Sequence, residues 1–423
     1  MELKKTFSSI FIFIILAIFI NFKYVYPSES LFLNSLVDEA LKNNPQIQAA
    51  KQRYFAAQAR VKLLRTLADP KFEFEYDKIT ADMDAVMRGK TAPMRTFSIS
   101  QEIPFPTKLL LRKQLAQKEA DALQQEYKET ENRVIKDLKT AYFQVSLNSK
   151  KIAVTKENLE LLQQFIEIVN AKYSVNKAAQ QDALRAQVEY SKLSNQLVLL
   201  QQEEKVSGYM LNFLVSRPPE AEVVIPEVRD EIILELNEEK IIQLAKASRP
   251  ELKSFQDMVR KSEIDYALSK QEYLPDFMFK YKREENTKGG MGSWAGMVGV
   301  TVPLWFWEKQ NSFVKEARAN VNVAKAEYQA TENMVLLEAR SAYAKLEAAK
   351  SLVKIYETGV LPQAQAALET VRLGYQADKI DFLDLLDSQR TLREFQMEYF
   401  EALANLEIAL ADLERSVGAD IGK

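Results

Sequence analysis

Residues 71–77 read Lys-Phe-Glu-Phe-Glu-Tyr-Asp, and residues 276–282 read Asp-Phe-Met-Phe-Lys-Tyr-Lys. In both, an aromatic side chain occupies every second position, the period of a β-strand with one apolar face. Each stretch follows a proline, Pro70 or Pro275, in a chain whose other segments mostly carry the helical period. A lone pair of strands is marginal in water. These two therefore need a sheet, and their aromatic faces need something to cover them.

The second stretch is one part of a larger duplication. Ala40, Pro45, Pro70, Phe72, Phe74 and Tyr76 fall in register with Ala245, Pro250, Pro275, Phe277, Phe279 and Tyr281. Further on, Glu126-Tyr127, Thr130-Glu131-Asn132 and Ala141-Tyr142 match Glu327-Tyr328, Thr331-Glu332-Asn333 and Ala342-Tyr343. Tyr173, Lys177, Asp182, Leu184 and Gln187 then match Tyr375, Lys379, Asp384, Leu386 and Gln389. Self-similarity at this spacing marks one structural unit written twice in tandem.

Each unit reads as helix, strand, loop, strand, very long helix, turn and helix. The first helix of each unit is expected at 45–67 and 250–274, with proline in its first turn. The first repeat spans 31–216, with strands at about 71–82 and 94–103, a long helix 107–170, a tip turn, and a helix 179–214. A mid-height equatorial linker, 217–237, contains the helix-breaking Arg217-Pro218-Pro219. The second repeat spans 238–418, with strands at about 275–284 and 293–302, a long helix 310–372 interrupted at Gly359 and Pro362, a tip turn, and a helix 380–416. A short tail, 419–423, follows. Apolar positions such as Ala116, Ala120, Leu123, Tyr127, Val134, Leu138 and Ala141 step by three, four or seven, a coiled-coil seam. At 1.5 Å per residue, the first long helix reaches roughly 90 Å. The fold class expected is mainly α with a small β part: tandem-duplicated coiled-coil hairpins, with four strands per chain.

Composition excludes several function classes. The 423 residues include no cysteine and no histidine, and the formal charge is −2. Disulfides, thiolate chemistry, imidazole metal ligation and His-dependent nucleophilic catalysis are absent on that ground alone. Dispersed basic residues give no nucleic-acid footprint. No enzyme activity, cofactor or metal site is expected. Met83, Met87, Met94, Met291 and Met297 lie in or near the strands; thioethers can bind copper(I), but scattered methionines more often serve packing. Lys4 and Lys5 precede the apolar run Ile10–Ile20, which is too short for a comfortable span. Residues 1–30 read as a signal peptide, the alternative being an uncleaved anchor.

Lipid supplies the missing cover. Transmembrane strands alternate apolar-out and polar-in, and only a closed barrel satisfies their backbone in hydrocarbon. The lipid-facing set is then Phe72, Phe74, Tyr76, Phe97, Ile99, Phe277, Phe279, Tyr281, Val298 and Val300, with Lys71, Glu73, Glu75, Lys280 and Lys282 toward a watery lumen. Phe105, Trp305 and Trp307 sit where an aromatic girdle belongs. Four strands cannot close around an open lumen, so several chains must share the barrel. The expected object is a tube.

The whole plan resembles the TolC-like outer-membrane efflux channel family. The likeness rests on Ala40-Leu-Lys-Asn-Asn-Pro45, Ser248-Arg-Pro-Glu-Leu252, Tyr375-x-x-Asp378 and Asp384-Leu-Leu-Asp387-Ser-Gln-Arg-Thr-Leu392. Gln101-Glu-Ile-Pro-Phe-Pro-Thr-Lys108 is similar to the heavy-metal branch, the CzcC and CusC type. The resemblance implies a homotrimer in the outer membrane with a periplasmic α-barrel. Its implied partners are a periplasmic membrane-fusion adaptor and an inner-membrane pump of the RND type, and its implied cargo is heavy-metal cations or small toxic compounds. A type I secretion duct and a periplasmic coiled-coil scaffold are the alternatives.

Two sets of tip residues follow from the resemblance. Tyr173, Asn176, Tyr375 and Asp378 are the expected adaptor-docking tip. Asn176 and Asp378 stand where the family usually has glycine, and both residue types tolerate left-handed backbone. Asp384 and Asp387, with Asp182 in the other repeat, are the expected periplasmic gate. A ring of such carboxylates attracts cations and repels anions.

Overall fold

The structure, a computed structural model, describes residues 29–77, 94–223, 237–286 and 292–421. Residues 1–28 of the expected signal peptide, the end of the first strand beyond residue 77, most of the linker, and Met83, Met87 and Met291 lie outside these residues. In chain order the elements are α1 (Glu29–Asn43), α2 (Pro45–Leu63), β1 (Lys71–Asp77), β2 (Met94–Ile103), α3 (Pro106–Ser174) and α4 (Gln180–Val215). The second repeat supplies α5 (Glu238–Ser248), α6 (Pro250–Gln271), β3 (Asp276–Asn286), β4 (Ser293–Thr301), α7 (Asn311–Ile355), α8 (Leu361–Gln376) and α9 (Phe382–Val417). Among the described residues no helix is long and apolar enough to cross a membrane.

Each repeat opens on two helices, where the sequence suggested one beginning at the proline. The break falls at Asn44 and Arg249, because a residue before proline is driven out of the α region. Asn44 adopts an extended backbone, ψ 123°, and its side chain accepts from the Gln46 and Ile47 N–H groups to cap α2. Helix α3 runs 69 residues without interruption, since no glycine or proline follows Pro106, which sits harmlessly in the first turn. The expected interruption at Gly359 and Pro362 is absorbed without ending the helical path. A single π-turn, Tyr356–Val360, joins α7 to α8. Proline lacks an N–H and crowds the carbonyl four residues before it, and the wider turn relieves both.

The helices lie side by side. In the part nearer the sheet the order is α2, α3, α6, α7, and towards the tips it is α4, α3, α9, then α7 and α8. Separate apolar clusters stack along this length. One centres on Leu36, Ile47, Leu138 and Leu211, another on Ile241, Val335 and Leu413, and a third on Leu162, Val169, Ala186 and Leu385 near the tips. Helices α4 and α9 both end on a left-handed residue, Ser216 at φ 63° and Gly418 at φ 74°. At Gly418 a Cβ would lie 2.9 Å from Pro250 Cδ and 3.0 Å from Arg249 Cα, so the end of α9 docks on the start of α6 only through glycine.

The four strands form one antiparallel sheet, ordered β1-β2-β3-β4. Strand β2 of the first repeat pairs with β3 of the second from Met94↔Asn286 to Ile103↔Phe277, which fuses the repeats. Strands β1 and β4 are the edges of this sheet. Its seam with the helices is pinned by Lys108, whose buried Nζ lies 3.0 Å from Asp276 Oδ1 and 3.1 Å from the Leu274 carbonyl. The Phe105 N–H donates to the same Asp276 Oδ1 at 2.9 Å. The start of α3 is thereby tied to the start of β3.

Candidate functional site

Cross-strand partners share a face, so the register sorts the sheet residue by residue. Phe72↔Ile99↔Tyr281 and Phe74↔Phe97 lie on one side, with Phe277↔Val300 and Phe279↔Val298. This side is bare: Phe72 is 77% exposed, Phe74 60% and Val298 68%. The opposite side is polar and internally paired. Lys280 bridges to Glu73 at 2.7 Å, Ser98 donates to Glu73 at 3.1 Å, and Lys71 meets Glu102 at 3.0 Å. Such a sheet has a dry-loving side with no cover among the described residues and a wet side that is internally paired. At its helical end Trp305 and Trp307 stack edge to face at 5.8 Å, both largely exposed, and Phe105 stands just before α3.

At mid-height five charges from four helix segments converge. Arg249, fully buried, donates to the Arg415 carbonyl at 2.6 Å, to Glu338 at 2.9 Å and to Glu251 at 3.0 Å. Glu129 on α3 lies 3.6 Å from Arg249 and 3.0 Å from Arg415. Burial pushes the Glu129 carboxyl above its ordinary range, against the pull of both guanidinium groups. This hub joins the two repeats where α6 begins and α9 ends.

At the tips the two turns are held to each other. Lys172 Nζ reaches Asp378 Oδ1 at 2.6 Å and the Tyr375 carbonyl at 2.6 Å, and sits 4.1 Å from the centre of the Tyr375 ring. Lys177 approaches Asp378 Oδ2 at 3.4 Å. Asn176 and Asp378 both adopt left-handed backbone, φ 59° and 58°. Hydrogen bonds from Lys172 and Lys177 hold the Asp378 carboxyl below its ordinary range. A depressed carboxyl contributes above its unfolded pKa and is lost only as pH falls through its folded value. The latch is therefore expected to be indifferent to pH between 5 and 8 but sensitive to salt, because exposed pairs are screened. Spin labels at Ser174 and Lys379 should separate in high salt or in Asp378→Asn, and should not respond to that pH change.

The remaining tip residues divide between surface and interior. Tyr173 is exposed, whereas its repeat partner Tyr375 is buried against Phe382, ring centres 5.7 Å apart. Burial, with the negative charge of Asp182 and Asp378, raises the Tyr375 phenol. Asp384 and Asp387 are exposed in the first turns of α9, and Asp182 is half-buried at the start of α4. Among the described residues no group of three carboxylates is placed to hold a metal. Above the tip, Glu189 on α4 is buried and paired with Arg390 and Arg393 of α9. Sequence reasoning missed Glu189, Lys172 and the hub. Arg249 did stand within the Ser248–Leu252 motif, but Lys172 and Glu189 carry no local signal.

Comparison with known proteins agrees with this architecture. The sequence profile of the family described as outer membrane efflux protein matches residues 36–209 and 241–419. The chain is 25% identical over 175 residues to the cobalt-zinc-cadmium resistance protein CzcC of Cupriavidus metallidurans, covering 41% of this chain and 40% of that protein. It is 20% identical to the outer membrane protein TolC of Vibrio cholerae over 91% of this chain and 90% of TolC. The crystal structure of VceC from Vibrio cholerae superposes with a TM-score of 0.80 at 16% identity, covering 92% of this chain and 97% of VceC. With both repeats matched, the chain belongs to the outer membrane efflux protein family.

Proposed function

We propose that three copies of this chain stand side by side as a passive exit duct, a β-barrel in the outer membrane continued by helices across the periplasm. The observation that carries this reading is the sheet: one bare apolar face, one polar face, and the two edges β1 and β4. In hydrocarbon an open edge is not tolerated, so each edge must pair with a neighbouring chain. Twelve strands from three chains leave a hole, which eight from two would nearly fill. The helical flanks support the same side-by-side contact. Val198, Leu199 and Phe213 are exposed on α4, and Val323, Met334 and Leu337 on α7, apolar stripes at opposite flanks of one chain.

On this reading the aromatic face meets lipid, Phe105, Trp305 and Trp307 form the periplasmic girdle, and the tips receive cargo from an adaptor and an inner-membrane RND pump. Tyr173, Asn176 and Asp378 offer the docking surface, with Tyr375 supporting it from beneath. Asp384 and Asp387, repeated around the axis with Asp182, narrow and charge the entrance. The likeness to CzcC supports divalent metal cations as cargo.

The test is reconstitution. The protein should extract from outer membranes as a heat-labile trimer and conduct in planar bilayers. Asp384→Ala with Asp387→Ala should raise conductance and weaken block by multivalent cations by roughly tenfold, the low end of what focused charge does to local ion concentration. A soluble monomer would remove the duct reading. Unchanged conductance and block would remove the carboxylates from the gate.

A further inference from the structure

The apolar face of the sheet is not uniformly apolar, and its charged residues lie in one place. Among the described strand residues on that face, the charged ones are Arg95, Arg283 and Glu285. All three occupy the two rows farthest from the helices, in the pairings Tyr76↔Arg95↔Glu285 and Phe74↔Phe97↔Arg283↔Trp294. The row nearest the helices holds Ile103, Phe277 and Val300. Six residues along β3 separate Phe277 from Arg283, about 20 Å at the rise of a strand. With the tilt of a barrel strand this is about 15 Å of height, and the Arg95 row lies about 5 Å higher. Since the periplasmic girdle lies below Phe277, the arginines reach the far rim of an apolar band about 25 Å tall.

Arg95 and Arg283 are exposed, as are Tyr76 and Trp294 beside them. An arginine directed at lipid is costly at the bilayer centre and nearly free at the interface. There it meets headgroup phosphate, which a guanidinium grips with two parallel hydrogen bonds. The two arginines are diagonal neighbours on β2 and β3, a separation of about 7–8 Å. Glu285 pairs with Arg283 at 2.9 Å, but so exposed a pair is weak and leaves the group with net positive charge.

We propose that Arg95 and Arg283 form a seat for the phosphates of lipid A, the phosphorylated glucosamine lipid of the outer leaflet, whose acyl chains lie on the aromatic face beneath. The inference rests on the duct reading. The leaflet follows from position, because these rows are at the end of the sheet opposite the periplasmic helices. Lipid A carries phosphates on a rigid disaccharide above several chains, which matches two cations set above the row of Phe72, Ile99 and Tyr281.

The experiment measures lipid binding to the purified full-length trimer by native mass spectrometry, using lipid A, dephosphorylated lipid A and phosphatidylglycerol. Lipid A should bind about tenfold more tightly than either of the others. Arg95→Gln with Arg283→Gln should abolish that preference while leaving the trimer and its conductance intact, and Glu285→Gln should strengthen it. Equal binding of the dephosphorylated lipid or of phosphatidylglycerol, or a preference unchanged in the double variant, overturns the seat. A conducting trimer with no phosphate preference overturns this inference alone, whereas a chain that never inserts overturns the duct reading with it.

Discussion

Arg249→Met is expected to cost about 3–5 kcal/mol of stability, the loss seen when one partner is removed from a buried ionic group. The substitution removes the cation shared by Glu129, Glu251 and Glu338, leaving Arg415 alone among three carboxylates, and strips the Arg415 carbonyl of its donor. Heat dissociation of the proposed trimer, followed on gels, should shift markedly downward. The pH dependence identifies the cause. Burial already raises the Glu129 carboxyl, and loss of Arg249 removes a group that lowers it. A raised carboxyl binds more protons in the folded state, so its destabilising effect grows as pH rises and is relieved as pH falls. The variant should therefore recover part of its stability between pH 8 and pH 5. A deficit of the same size at both values would point to lost packing rather than uncompensated charge.

Ile99→Lys is expected to block insertion, whereas Ser100→Lys, one residue along the same strand, is expected to be tolerated. Ile99 sits on the bare apolar face between Phe72 and Tyr281, and Ser100 points to the polar face opposite Lys71 and Lys280. A lysine facing mid-bilayer lipid costs about 2–4 kcal/mol per copy, and three copies would bear it together. Yield of heat-modifiable trimer in outer-membrane extracts reads the difference. Equal yields from the two variants would mean that the aromatic face does not meet hydrocarbon.

The two substitutions separate what is local from what is not. The face of Ile99 is legible in the sequence, since a strand alternates with period two and each aromatic residue announces its neighbours' side. Nothing in the sequence around Arg249 announces Glu129 or Glu338, which arrive from segments about a hundred residues away on either side. The tip shows the same division. Asn176 and Asp378 could be read as left-handed positions from residue type, and their φ values of 59° and 58° agree. That Lys172 would reach across to Asp378, and that Tyr375 would be buried while Tyr173 stays exposed, could not be read. The repeat itself misleads here, because matched positions in sequence occupy unmatched environments once the two hairpins lie side by side.

By itself the sequence determined the duplication, the amphipathic strands and the long uninterrupted helix, though not the extra helix that opens each repeat. These follow from period, from proline and glycine placement, and from steric limits on single residues, all of which act over a few positions. Tertiary structure alone decided that β2 pairs with β3, that α3 is flanked by α4 and α9 near the tips, and that the repeats are joined by Arg249 at mid-height and by Lys172 at the end. An apolar stripe states only that a helix must be buried. Which neighbour buries it, and which buried charges then come within reach, depends on the packing of all the helices at once.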